Sequence, residues 1–400
     1  MPDSDPAITR FLHAARDRLQ QQRELHRFRT RRVTSASDSA HVTVDGKRLV
    51  NFASNDYLGL AHDRRVVEAG ALAARHAGVG AAAAPLITGY TTYHQTLEQE
   101  LARMKHAESA VLFPSGYQAN VGLVQTLAKL AEGGQPVRFL IDKLVHGSIV
   151  DAIQRSGLPY RVFPHHGYDK LRRLLSETAD LQIVFTESIF GMDGDQADLK
   201  TLGELKLKNP FLLILDDAHS TGVYGRAGSG LQDELQFDGL ADISIVTLSK
   251  AIGSMGGAVC ASTDLCDLIV NTASAYLFST SLPPSAVASA KEALRIMAME
   301  PQHQARVRAS ARYVRAALSD HFAIPAGDSP IIPLILGDER QTLAAADAAR
   351  QAGFYIVAIR PPTVSPGTAR LRVTLSAAHS DEEIRELIIF VKTLAPASQA

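Results

Sequence analysis

Short apolar runs separated by amphipathic stretches dominate the middle of this chain. The runs are AVLF at 110–113, FLI at 139–141, IVFT at 183–186, FLLILD at 211–216, ISIVTL at 243–248 and GAVCAS at 257–262. None alternates with polar residues, which is the pattern of strands buried on both faces. Between them, 95–106, 117–131, 168–177 and 199–207 carry helical periodicity. Strand and helix in alternation predict an α/β fold with a mainly parallel sheet flanked by helices. Ahead of this, residues 8–27 place Ile8, Phe11, Leu12, Ala15 and Leu19 at helical spacing, and 41–53 alternate as a hairpin around Asp45-Gly46. After about residue 284 come two long helical stretches, 284–299 and 302–320, then strands near 331–336, 354–358 and 370–375. The expected division is an N-terminal helix and hairpin arm over 1–50, a large domain over 51–284 and a smaller α+β domain over 285–400.

Composition narrows the class. Of 400 residues, 46% are hydrophobic and 21% charged, the balance of an ordinary globular protein. A net charge of −1 lacks the basic excess of nucleic-acid binders. No apolar run reaches the ~18 residues a membrane span needs. The start of the chain, with early acids and no apolar stretch, does not read as a secretory signal. Cys260 and Cys266 lie in or beside apolar segments, so no disulfide framework is expected and a cytoplasmic setting is the simplest reading. The basic stretch 27–32 reads as a solvated face.

The candidate chemistry gathers at strand ends, where open α/β sheets bind ligands. Asp216-Asp217-Ala218-His219 closes the run FLLIL. Acids there need a partner, either a metal or a protonated heterocycle. Ser249-Lys250 follows ISIVTL and precedes a glycine-rich turn; a partly desolvated lysine suits Schiff-base chemistry. Pro114-Ser115-Gly116-Tyr117 links a strand to a helix whose N-terminus can take a phosphate. His146 follows the strand FLI and either caps a helix or stacks on a planar ligand. His165-His166 look like a metal pair, but adjacent side chains rarely point the same way and no nearby acid cluster is evident in the sequence, so no metal is expected there.

Taken in order, these parts resemble the fold-type I pyridoxal-phosphate (PLP) enzymes, and more closely the α-oxoamine synthase family. The likeness spans nearly the whole chain: 51–60 (NFASNDYLGL), 186–195 (TESIFGMDGD), 216–222 (DDAHSTG) and 276–284 (YLFSTSLPP). The stretch Ala358–Val364 with 367–372 (GTARLR) resembles the branch that joins L-alanine to a pimeloyl thioester in biotin biosynthesis. The resemblance implies a seven-stranded large domain and a PLP-dependent acyltransferase working as a homodimer with shared active sites. It implies that Lys250 holds PLP as a Schiff base, Asp216 pairs with the pyridine nitrogen, His219 bonds the ring hydroxyl and His146 stacks on the ring. Gly116, Tyr117, Thr247 and, from a second subunit, Thr280 would hold the phosphate. Arg372 would clamp the amino-acid carboxylate, with Asn55 near the substrate and Arg29 facing the acyl carboxylate. The acyl donor would be pimeloyl-CoA or pimeloyl-acyl carrier protein. The sequence departs from the family at Gly80–Pro85, where a GSGGSR-like loop is usual, and at Gly191, where a serine is common. Sister activities on glycine or serine, and a metal-dependent hydrolase built on Asp216, Asp217 and His219, are the competing readings.

Overall fold

The protein is described here from a computed structural model covering residues 6–36, 38–134, 136–177 and 181–395. The first five residues, part of the acidic start, and the last five, the end of the C-terminal segment, lie outside the described residues. The N-terminal hairpin forms as read. β2 (His41–Val44) and β3 (Lys47–Asn51) pair antiparallel, with Asp45 and Gly46 at φ 50° and 77°, as a tight two-residue turn requires. β1 (Thr34–Ala36) lies antiparallel along β2.

The apolar runs assemble into one seven-stranded sheet from β4 (Ser109–Phe113), β5 (Val137–Asp142), β6 (Tyr160–Phe163), β7 (Leu181–Glu187), β8 (Leu212–Asp216), β9 (Ile243–Thr247) and β10 (Gly257–Ala261). Their order is β4-β10-β9-β8-β7-β5-β6. Only β10 runs against its neighbours. Residues 248–256 are too few for the crossover a parallel partner needs, so the chain turns straight back. The edge strand β6 and the helix Gly147–Ser156 escape a reading by apolar runs. In β6 only Phe163 is buried, so no run marks it.

Alternate residues along each strand feed two cores. Val184, Leu213, Leu215 and Val246 face one side, where they meet Leu97 and Leu101 of the helix Thr92–Met104. Ile183, Phe185, Ile214 and Ile245 face the other, against Leu123 and Leu127 of the helix Gly116–Glu132. The result is a three-layer sandwich whose carboxyl strand ends open on one edge.

The smaller C-terminal part holds the antiparallel sheet β11-β14-β13, from β11 (Ile331–Gly337), β13 (Val357–Ile359) and β14 (Ala369–Thr374). The stretch 354–358, read as one strand, is two. β12 (Phe354–Tyr355) pairs parallel with β3, whereas β13 pairs with β14. The buried Ile356 is the joint between them. The N-terminal hairpin and the C-terminal part therefore share a sheet. The basic stretch is also not simply solvated: Arg27 meets Glu339 at 2.8 Å, and Arg32 meets Asp45 at 3.1 Å.

Candidate active site

Neighbouring strands β7, β8 and β9 end side by side, with Glu187 opposite Asp216 and Asp216 opposite Ile245. Two carboxylates thus face each other at the sheet edge. Asp216 is buried; its Oδ2 accepts from Asn120 Nδ2 at 3.2 Å and its Oδ1 from the Ala218 N–H at 3.0 Å. Asn120 rides on the helix Gly116–Glu132 and also donates to Ser148 Oγ at 3.0 Å. Asp217, one residue on, points the other way. Its Oδ2 takes the Lys105 ammonium at 2.9 Å, and both side chains are almost fully buried. That closed pair removes Asp217 from the crevice and, with it, the three-residue metal centre on Asp216, Asp217 and His219.

Lys250 sits in the turn after β9. Its Nζ lies 2.8 Å from His219 Nε2. His219 Nδ1 is 2.6 Å from the Tyr57 hydroxyl, which donates to Asn55 Oδ1 at 3.3 Å. Arg372 reaches the same place from β14: Nη1 donates to Asn55 Oδ1 at 3.0 Å and to Thr374 Oγ1 at 3.1 Å, while Nη2 stands 3.5 Å from the Tyr57 oxygen. Its Nε is taken by the Gly191 carbonyl at 2.6 Å. Nη2 is the guanidinium nitrogen with donor capacity to spare. One continuous chain of polar contacts, Lys250–His219–Tyr57–Asn55–Arg372, therefore joins the large sheet to the C-terminal part.

The electrostatics fit a water-poor crevice. Burial lowers the Lys250 amine to a pKa of about 8, against the pull of Asp216 and Glu187. Burial, with Asp216 beside it, raises Glu187 to about 8. Burial and the positive charges of Lys250 and Arg372 push His219 well below its usual range, so its ring is neutral. Desolvation also lowers His146, with Lys250 adding to the effect and Asp216 opposing it. His146 does cap a helix: Nδ1 accepts the Ser148 N–H at 3.2 Å.

Beside this lies an anion cradle. The Gly116 and Tyr117 N–H groups open the 17-residue helix Gly116–Glu132 and donate to no other described residue. A Cβ on Gly257 would fall 2.6 Å from Gly116 Cα, so strand and helix start meet backbone to backbone. A Cβ on Gly116 would lie 3.4 Å from Thr247 Oγ1, which places that hydroxyl at the cradle.

Most of the residues singled out in the sequence are thus brought together. Two are not. Thr280 is exposed beyond the helix Ser274–Leu277 and is hydrogen-bonded to none of these side chains. Arg29 meets the other stretch read as acyl-specific, donating from Nη2 to the carbonyls of Arg360 (3.3 Å) and Pro361 (3.2 Å). Three groups were missed as site residues: Tyr57, Asn120 and Glu187. Glu187 had a signal, a charged residue at the end of the run IVFT. The other two depend on which way a loop and a helix face. The Gly191 departure has a steric cause here, since a Cβ would lie 2.4 Å from His219 Nε2.

Residues 47–390 match the family model for class I and II aminotransferases. The chain belongs to this family. Its relatives include the 8-amino-7-oxononanoate synthase of Anaeromyxobacter dehalogenans, 41% identical over 89% of this chain and 88% of that protein. That of Methylorubrum populi is 40% identical over 92% and 90%. Among solved structures, Sphingomonas wittichii serine palmitoyltransferase superposes with a TM-score of 0.89 at 26% identity, covering 98% of both chains. The 8-amino-7-oxononanoate synthase of Francisella tularensis shares the fold, with a TM-score of 0.74 at 23% identity over 86% and 97%. Among the described residues, no helix is long and apolar enough to cross a membrane.

Proposed function

We propose that this chain is a homodimeric 8-amino-7-oxononanoate synthase. It binds PLP at Lys250 and condenses L-alanine with a pimeloyl thioester, with loss of CO2. The observation that carries the reading is the polar chain from Lys250 to Arg372, which sets an amine of lowered pKa and a carboxylate-binding guanidinium at one crevice.

The residues present fit the cofactor. A buried acid at a strand end suits a pyridinium nitrogen, a neutral imidazole suits the ring hydroxyl, and free N–H groups at a helix start with a threonine beside them suit a phosphate. Asp216, His219, Lys250, His146, Gly116, Tyr117 and Thr247 would hold it. Thr280 of a second copy would complete the phosphate site, in keeping with its exposure here. When bound, PLP supplies an electron sink for the alanine Cα.

Arg372 Nη2 binds the alanine carboxylate and Asn55 orients it. Lys250, its pKa near working pH, removes the Cα proton and returns one there after the new C–C bond has formed and CO2 has left. The thioester C–S bond breaks and the sulfur leaves as the thiol of CoA or of the carrier protein. The Arg29 and Arg360–Thr363 contact supplies a cationic place for the far acyl carboxylate.

The test is product formation from L-alanine and pimeloyl-CoA by the purified protein with PLP, beside Lys250→Ala. Wild type should release CO2 and the amino ketone, and the variant should lose visible cofactor absorbance and at least about 10²-fold in turnover. Full activity in the variant sinks the assignment. The serine palmitoyltransferase likeness favours a second reading on serine; preference for glycine or serine over alanine would establish that one instead.

A further inference from the structure

The loops beside the crevice bring together four groups that the sequence keeps apart. His165 and His166 lie between β6 and the helix Tyr168–Leu175, Asp195 follows β7, and Asp142 ends β5. His165 Nε2 and His166 Nε2 both sit 2.7 Å from Asp195 Oδ2. The expectation that adjacent histidines diverge fails because His166 adopts a left-handed backbone, φ 54°, which swings its ring back beside its neighbour at 4.0 Å between centroids. The acids come from elsewhere in the chain, Asp195 from the segment after β7 and Asp142 from the end of β5.

We propose that His165, His166 and Asp195 form a binding site for a divalent transition-metal ion, Zn2+ by the chemistry of its ligands. Two imidazoles and one carboxylate are a borderline donor set that suits zinc and leaves a fourth position to solvent. The three ligand atoms lie within 4.8 Å of one another. A tetrahedral zinc centre spaces its ligand atoms by about 3.3 Å, so a small opening of the present contacts admits the ion. Behind His165, Asp142 Oδ1 takes the Nδ1–H at 3.1 Å, the carboxylate support that zinc-bound histidines characteristically have. Asp195 Oδ1 is buried with no hydrogen-bond partner, so a buried acceptor already waits in the cluster. His166 is exposed and provides the way in. Without metal, both nitrogens of His165 donate to carboxylates, so it is an imidazolium. His166 Nε2 also donates to Asp195 Oδ2, so the ion replaces two Nε2 protons: that of His165 leaves to solvent and that of His166 passes through solvent to its Nδ1, while Asp142 keeps its bond to His165 Nδ1.

Asp195 stands on the loop that also carries Gly191, whose carbonyl holds Arg372. Phe190 packs edge-on against His165 at 4.3 Å between centroids, tying the ligands to that loop. The proposal is independent of the reaction assigned to the crevice.

The experiment is equilibrium dialysis of tag-free, full-length protein against Zn2+, with His166→Ala, His106→Ala and Lys250→Ala in parallel. His166 is exposed, so its removal does not threaten folding. His106 belongs to a second group, with the part-buried Asp233 and the exposed Asp238. The expected result is one tightly held zinc per wild-type chain, weakened more than about tenfold by His166→Ala and unchanged in the other two variants. No bound zinc in the wild type, an unchanged affinity in His166→Ala, or a loss in His106→Ala or Lys250→Ala each overturns the proposal.

Discussion

Asp216 and Asp217 are consecutive residues at the end of one strand, yet they do opposite work. Asp217 turns away from the crevice and closes on Lys105, which also donates to the Ser229 carbonyl; Ser220 Oγ donates to Asp217 Oδ1 at 2.7 Å. Every partner is supplied by the fold, and nothing is left over for a ligand. Asp216 turns into the crevice, where Lys250 forms no ion pair with it and bonds a neutral imidazole instead. A buried ion pair with all its hydrogen bonds made is a structural fastener. A buried acid and amine held near but not on each other are groups kept ready for something else. Sequence spacing alone does not separate the two aspartates; the partner each one meets does.

Lys105→Met strikes the closed side and should have the largest effect on stability. It strands a buried carboxylate, at a cost of about 3–5 kcal/mol, read as a lower denaturant midpoint. Adding Asp217→Asn should recover much of that loss. On the open side, Lys250→Ala should not lower the midpoint, since burial already disfavours that ammonium, while it abolishes turnover. If Lys105→Met spares stability, the contrast between the two sides fails.

Gly191→Ser comes next. Its Cβ would displace the His219 ring, and overpacking of this kind typically costs about 1–3 kcal/mol. The expected readout is cofactor binding weakened by roughly tenfold or more, with a shift in the cofactor spectrum; tight binding with an unchanged spectrum would show that the ring has room to move.

The smallest effect is on pH dependence. Glu187 titrates near 8 in the fold against an ordinary value of 4.5. A raised pKa means the folded state holds the proton more tightly. Its stabilising contribution is therefore complete below about pH 4.5 and is lost as pH rises through about 8. Glu187→Gln should flatten the cofactor-free stability curve over that window, as measured by thermal midpoint. Lys250 acts in the opposite sense: its lowered pKa adds stability only as pH climbs above about 8.

Much of the fold was legible because strands buried on both faces leave unbroken apolar runs. Edge strand β6 was not, since Tyr160, Arg161 and Val162 are not buried and break the pattern. The split of 354–358 between two sheets depends on partners distant in the chain, which local periodicity does not carry. At the site, Lys250, Asp216 and His219 announced themselves as polar groups at the ends of apolar runs. Tyr57 and Asn120 became visible only when two loops and a helix met. The meeting of the two histidines with acids was not legible for a similar reason: Asp142 ends β5 and Asp195 follows β7, both distant in the chain.

The meeting of Gly257 with Gly116 bears on how the chain is made. β4, although early in the sequence, finds its sheet partner only in β10, where Phe113 pairs with Gly257. During synthesis the first strand of the large sheet must wait, edge exposed, until all the others have emerged. The anion cradle is thus among the last parts to assemble, and phosphate affinity should appear late in refolding. Such distant pairings slow folding and leave an unpaired edge open to aggregation. A ligand that grips both sides of the cradle would act as a clasp on the finished sheet, so the cofactor should help the nascent chain reach its native form as well as equip the folded one for chemistry.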